Sequence, residues 1–226
     1  MAVRQETRRR GPRVRPIVIA VVCALPLTGC ARIIDSPTAL PVPTVGPILA
    51  NQVGDLLSKK AEADKDGNRF VTTVPESCAG VAREQNAPFI VDHHPVVTDG
   101  GHWVSTNGRE VYVEEIVAVY PADFDARSAV ADARSTLAAC RSTPFTVKDM
   151  KGREYHFAMG APADSGSPDI VIWSFQAPDW ACDNAFVAAH NAAAEITTCG
   201  PVNGYNVGAL ARDTLKRIES LANTKA

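Results

Sequence analysis

The chain has 226 residues, of which 46% are hydrophobic but only 6% aromatic, and a formal charge of −2. This length supports one domain with a real core, and the scarcity of aromatic residues means that the core is built from small side chains. An acidic balance, steeper still once the N-terminal arginines are set aside, excludes nucleic acid and anionic lipid as partners recognised through charge.

Residues 1–29 read as a lipoprotein signal peptide. Arg4, Arg8, Arg9, Arg10, Arg13 and Arg15 give a basic start, and residues 17–27 give an apolar middle. That run is too short to span a ~30 Å hydrocarbon core. Leu27-Thr28-Gly29-Cys30 closes it in the pattern of a bacterial lipobox, where the Cys30 thiolate is alkylated and becomes the first mature residue. Cleavage there removes six arginines and Glu6, leaving 17 basic and 24 acidic residues, a net of −7. Residues 30–47 then form a tether stiffened by Pro37, Pro41, Pro43 and Pro47. At roughly 3.1 Å per residue it reaches on the order of 50 Å. A diacylglyceryl group on Cys30 makes the membrane a partner through its anchor, because two acyl chains hold stably where one does not. The expected location is the extracytoplasmic face of the cell membrane.

Residues 48–226 form the expected folded domain. Ile48, Leu49, Val53, Leu56 and Leu57 recur at helical spacing and predict an amphipathic helix over residues ~47–63, stopped by Asp66-Gly67-Asn68. Residues 70–74 are a short apolar run ending at Pro75, and a poorly patterned stretch runs from Cys78 to Pro95. Asp99-Gly100-Gly101 predicts a turn. Residues 103–105 and 110–120 predict a hairpin turned at Asn107-Gly108. Asp123 is the expected N-cap of a helix with Phe124, Arg127, Val130, Leu137 and Cys140 along one side, ended by Thr143-Pro144. Residues 154–160 and 169–176 read as strands around the loop 161–168. Residues 181–189 and 192–199 read as strands meeting at His190-Asn191, and residues ~205–222 as a closing amphipathic helix. The sum is an α+β domain: a mainly antiparallel sheet with helices packed on one side.

Outside the signal and the lipobox, Cys78, Cys140, Cys182 and Cys199 remain, enough for two disulfides in an oxidising compartment. A two-residue turn at His190-Asn191 pairs positions whose numbers sum to 381. Cys182 then faces Cys199 directly across the ladder, at a separation that suits a disulfide. Cys78–Cys140 follows by elimination. A zinc site from the same four residues lacks a Cys-x-x-Cys pair.

Trp103, the strand 111–121, the helix 124–140, Trp180-Ala181-Cys182, Thr198-Cys199-Gly200 and the closing helix together resemble the extracellular sensor domain of the mycobacterial PknH-type Ser/Thr kinases. The resemblance covers roughly residues 48–222. It also describes stand-alone lipoproteins of mycobacteria and their relatives, the form that the lipobox matches. It implies an α+β domain with disulfides Cys78–Cys140 and Cys182–Cys199 and a cleft that binds a ligand, of no established identity. The chain has no Gly-rich loop, His-Arg-Asp or Asp-Phe-Gly, so no kinase chemistry follows.

Candidate chemistry is sparse. Asp92-His93-His94 and His102 have metal-ligand side chains, but neighbouring histidines on a loop diverge, so no metal site and no cofactor is predicted. Glu114 and Glu115 interrupt an apolar strand and must face opposite ways, so one of them points inward and needs a partner or a ligand. Ser165 and Ser167 lack a Gly-x-Ser-x-Gly context. No catalytic residue is assigned. His102, Trp103 and Glu114 are the candidate wall of a small-molecule cleft. The reading is a lipid-anchored binding or sensor-like domain for a small molecule, a wall fragment or an envelope protein. An envelope hydrolase using carboxylates or histidines, and a non-catalytic scaffold, are the alternatives.

Overall fold

The computed structural model describes residues 45–63, 67–105, 110–202 and 204–223. The signal segment, Cys30 and nearly all of the tether lie outside the described residues, as do Asp66 and the Asn107-Gly108 turn. In chain order, a 3-10 helix (Ala50–Leu56) leads to β1 (Glu62–Ala63) and β2 (Phe70–Val74). Short helices α1 (Ala79–Ala82) and α2 (Pro88–Val91) precede the long strands β3 (Val97–Ser105) and β4 (Val111–Val119). Then come α3 (Ala126–Cys140), β5 (Phe145–Asp149), β6 (Glu154–Met159) and β7 (Ile170–Gln176). β8 (Ala181–Ala189), β9 (Ala192–Gly200) and α4 (Val207–Asn223) complete the fold.

The strands form one sheet in the order β1-β3-β4-β9-β8-β7-β6-β5-β2, and every neighbouring pair is antiparallel. Its centre is the β8–β9 hairpin. The turn takes two residues, with His190 at φ 52°, and the register sets Cys182 opposite Cys199 as the arithmetic requires. Both disulfides form: Cys182–Cys199 with Cα atoms 4.2 Å apart, and Cys78–Cys140 with 5.7 Å. Closing loops of 62 and 17 residues stabilises by about 3–4 kcal/mol each in the chain-entropy picture.

All nine residues of β9 are buried. A strand covered on both faces explains the helices, which pack on both sides rather than on the expected one. Ala129, Val130, Ala133 and Leu137 of α3 join one apolar cluster with Phe186, Ala188 and Ala193. Val207, Ala211, Ile218 and Ala222 of α4 join another with Ala185, Val187, Ala194 and Ile196. These are alternate residues of the same strands, so the clusters lie on opposite faces. The alanines at both faces are small enough for each helix to sit close. The α+β class and the antiparallel sheet stand as read from the sequence.

Three local readings change. The helix expected over residues 47–63 shrinks to the 3-10 segment 50–56, because Gly54 weakens helix propensity and the flanks are fixed by tertiary bonds. The buried Asn191 amide accepts from the Ile48 N–H at 2.8 Å and donates to its carbonyl at 3.0 Å, and β1 pairs with β3. Asp99-Gly100-Gly101 is no turn; it continues β3, held by an unbroken register with β4 from Val97↔Val119 to Ser105↔Val111. The α3 cap is Asp125 rather than Asp123, its carboxylate accepting from the Arg127 and Ser128 amides at 3.0 Å each. Phe124 precedes the helix and stacks on Tyr120 with ring centres 4.0 Å apart.

Asn191 also donates to the Tyr120 carbonyl at 2.9 Å. Replacing it by alanine (Asn191→Ala) strands buried groups of two segments, at a cost of about 2–4 kcal/mol. The expected result is a lower urea midpoint with an unchanged m-value; an unaltered midpoint would refute this role.

Candidate functional site

The sheet curls until its two ends approach each other. Arg69 leads into β2, the last strand of the order, while Glu114 belongs to β4, near the first. Their side chains nonetheless meet, with Nη1 and Oε1 3.9 Å apart. Beside this seam lies a cleft of about 360 Å³, on the face that α3 covers further along.

Charged groups form its floor. Glu114 is 9% exposed, and its cross-strand partner is His102. On the other side of Glu114, in β9, stands buried Thr197. Glu84, from the link between α1 and α2, is also buried and accepts the Phe70 N–H at 2.6 Å. Among the described residues no strand ladder joins β4 to β2, and the Arg69–Glu114 pair bridges the seam.

Aromatic rings form the mouth. Tyr112 of β4 is 47% exposed. Trp180, just before β8, lies 5.9 Å from the Tyr112 ring and 6.5 Å from that of Tyr155 in β6. The Arg153 guanidinium sits 4.7 Å over Tyr155 and is held by Asp179 at 2.9 Å. Asp149 fixes the adjoining β5–β6 turn: it accepts from the Asn68 amide and the Arg153 N–H, both at 2.8 Å. Burial alone would raise the Asp149 carboxyl, and hydrogen bonds from Asn68, the Arg153 and Lys151 amides and Tyr155 more than reverse this, so it titrates below the usual range.

Of the candidate wall, His102 and Glu114 both line the cleft. Trp103 borders it too, but one residue along a strand reverses the face, and its side chain belongs to the apolar cluster beneath α4. Neither glutamate of the Glu114-Glu115 pair is solvent-facing. Glu115, 1% exposed, points the other way, accepts the Ser58 N–H at 2.6 Å and lies 3.6 Å from Arg217 of α4. Burial raises its carboxyl, and the Ser58 bond and the Arg217 charge oppose that rise. Ser165 donates to the carbonyls of Ser167 and Ile170 at 2.8 Å, which closes its loop. The His93 ring packs edge-on to Phe124. Among the described residues, no three His, Cys, Asp or Glu side chains are placed to hold a metal ion.

Sequence reasoning missed Arg69, Glu84, Tyr112, Tyr155 and Trp180 as cleft residues. Tyr112 was within reach, since it shares the strand face of Glu114. The others come from distant segments that only the curl brings together. The strand β5 was missed as well, although its alternating Phe145, Val147 and Asp149 are buried.

The PknH-like extracellular domain family matches residues 36–217. The crystal structure of the extracellular domain of PknH from Mycobacterium tuberculosis is similar in fold, with a TM-score of 0.63 at 17% identity over 78% of this chain and 99% of that one. The X-ray structure of an uncharacterised Mycobacterium smegmatis protein aligns over 80% of this chain and 99% of that one, at 11% identity and a TM-score of 0.30. No curated protein matches the chain.

Beside the floor, two residues from Thr197 along β9, lies Glu195, 4% exposed, with no hydrogen-bond partner for its Oε2 among the described residues. Desolvation, and then the Glu84 charge, push its carboxyl well above the usual range. A raised carboxyl binds its proton more tightly in the folded state. Its contribution to stability is therefore complete below the unfolded value near 4.5 and is lost as pH rises through the folded value. Glu195→Gln should remove this slope, so that the variant gains stability over wild type as pH increases from 5 to 8. Urea unfolding of both proteins across that range checks it; parallel stability curves would contradict the assignment.

Proposed function

The chain belongs to the PknH-like extracellular domain family, and from that premise we propose an extracytoplasmic, sensor-like binding domain that receives its ligand in the cleft at the seam. The cleft carries this reading. Its volume suits a small molecule, its mouth is aromatic, and Arg69, Glu84, His102 and Glu114 lie within it. The hydrolase alternative lacks a complete catalytic motif in the sequence, with no Gly-x-Ser-x-Gly context for its serines.

The domain is held at the outer face of the cell membrane by lipid on Cys30. The lipobox supports this, and the family match begins at residue 36, directly after it. Among the described residues no helix is long and apolar enough to cross a membrane. The binding is non-catalytic, and the ligand is a small molecule, a wall fragment or part of an envelope protein.

Two measurements test the proposal. Cys30→Ser should abolish incorporation of radiolabelled palmitate in the native host; continued labelling would rule out this anchor. For the cleft, the full chain labelled with ¹⁵N at its tryptophans should give a Trp180 indole signal that moves when an extract of the host envelope is added. The buried Trp103 and Trp173 signals, from residues 9% and 3% exposed, should stay in place. No movement of the Trp180 signal with any envelope fraction would remove the cleft as a binding site.

A further inference from the structure

We propose that the ligand of the cleft is a glycan segment of several linked pyranose rings. This rests on the reading of the cleft as a binding site and names its chemistry.

A pyranose is amphipathic in a particular way. Its faces present C–H bonds of weakly positive character, and its rim presents hydroxyls that both donate and accept. The first need the negative face of an aromatic ring. The second need planar groups that bond in pairs. The cleft supplies both. Tyr112 and Trp180 stand at the mouth with their rings 5.9 Å apart and inclined by 39°, and Tyr112 is 47% exposed. Deeper in are the carboxylates of Glu114 and Glu84, the Arg69 guanidinium and the His102 imidazole. Arg69, Lys151 and Arg153 stand against Glu84 and Glu114 around the cleft, a near balance of charge that fits a neutral, hydroxylated ligand better than a strongly charged one.

The length of the site points to an oligomer. A second depression, of about 480 Å³, shares Arg69 and Glu84 with the cleft and continues along the same strands past Thr98, Gly100 and Ile116. Thr98, Gly100, His102 and Val104 are alternate residues of β3 and so lie on one face. From Thr98 to Val104 the strand advances by about 20 Å at roughly 3.4 Å per residue. One sugar does not occupy that distance, whereas a short chain does, with its first ring on Tyr112 and Trp180.

The test uses the full chain, ¹⁵N-labelled at its tryptophans, titrated with three soluble tetrasaccharides: of glucose, of N-acetylglucosamine and of galacturonic acid. At least one neutral tetramer should move the Trp180 indole signal saturably at millimolar concentration, with Trp103 and Trp173 unmoved. Tyr112→Ala should weaken that binding about tenfold, as truncation of an aromatic anchor does. Glu114→Gln, which keeps the shape of the side chain, should weaken it severalfold. If no neutral tetramer moves Trp180, the glycan is excluded. If only the galacturonate tetramer does so, the cleft is reading charge through Lys151 and Arg153, and the proposal is equally overturned. In either failure, an envelope extract that still moves Trp180 leaves the cleft a binding site for another class of ligand, while failure of the extract too removes both readings.

Discussion

The two-residue turn at His190-Asn191 is the constraint on which the rest of the molecule depends. It fixes the register of β8 against β9, and a slip of one residue would exchange the two faces of the sheet. Both faces of this hairpin are buried, so no such slip is tolerated. The same turn sets Cys182 across from Cys199 and turns Phe186 towards α3 and Val187 towards α4. Its asparagine reaches beyond the hairpin, joining the start of the domain at Ile48 to the end of β4 at Tyr120. One short turn thus aligns the centre of the sheet, one disulfide and two segments distant in sequence.

The parts of this fold that were legible in the sequence are those where local pattern and tertiary demand agree. The β8–β9 register follows from counting alone, and the α4 spacing of Val207, Ala211, Thr214 and Ile218 follows from the helical period. The disagreements have physical causes. Ile48 and Leu56 have helical spacing, yet Ile48 is fixed by Asn191 and the turn after Leu57 by Glu115, so no long helix can form between these fixed points. Asp99-Gly100-Gly101 has the chemistry of a turn, yet a full ladder to β4 outweighs the low strand propensity of two glycines. Sidedness was hidden because β9 is apolar or small almost throughout and lacks the alternation that would mark one wet face.

The site was legible only where it lies on a single strand. Strand parity separates Glu114 from Glu115 and was visible from the sequence, whereas the pairing of His102 with Glu114 comes from the β3–β4 register, one residue away from what a two-residue Asn107-Gly108 turn gives. The same parity, carried one step further, turns Trp103 into the opposite core. Arg69, Glu84 and Trp180 carry no local signature, because each is brought to the cleft from a separate loop. The fold also keeps a costly feature beside the site. Glu195 is buried next to Glu84, whose other role is to hold the Phe70 amide at the start of β2. Burying one carboxyl beside another reduces stability at neutral pH, and sites of function are where proteins tolerate such local conflicts.

The curl of the sheet gives the cleft its mechanical meaning. Backbone pairing joins each strand to the next from β1 to β2; between β4 and β2, which no ladder joins among the described residues, stand the Arg69–Glu114 ion pair and the α1–α2 segment, whose Glu84 and Gln85 bond the backbone of Phe70. The ion pair, at 3.9 Å with Arg69 partly exposed, is a weak closure. On the proposed reading, a ligand in the cleft would touch β4 and the start of β2 at once. A ligand that bound only the closed seam would stabilise it by RT ln(1 + [L]/Kd). Occupancy of the cleft would then be felt at this seam, where an ion pair and not a backbone ladder links β4 to the residue that leads into β2.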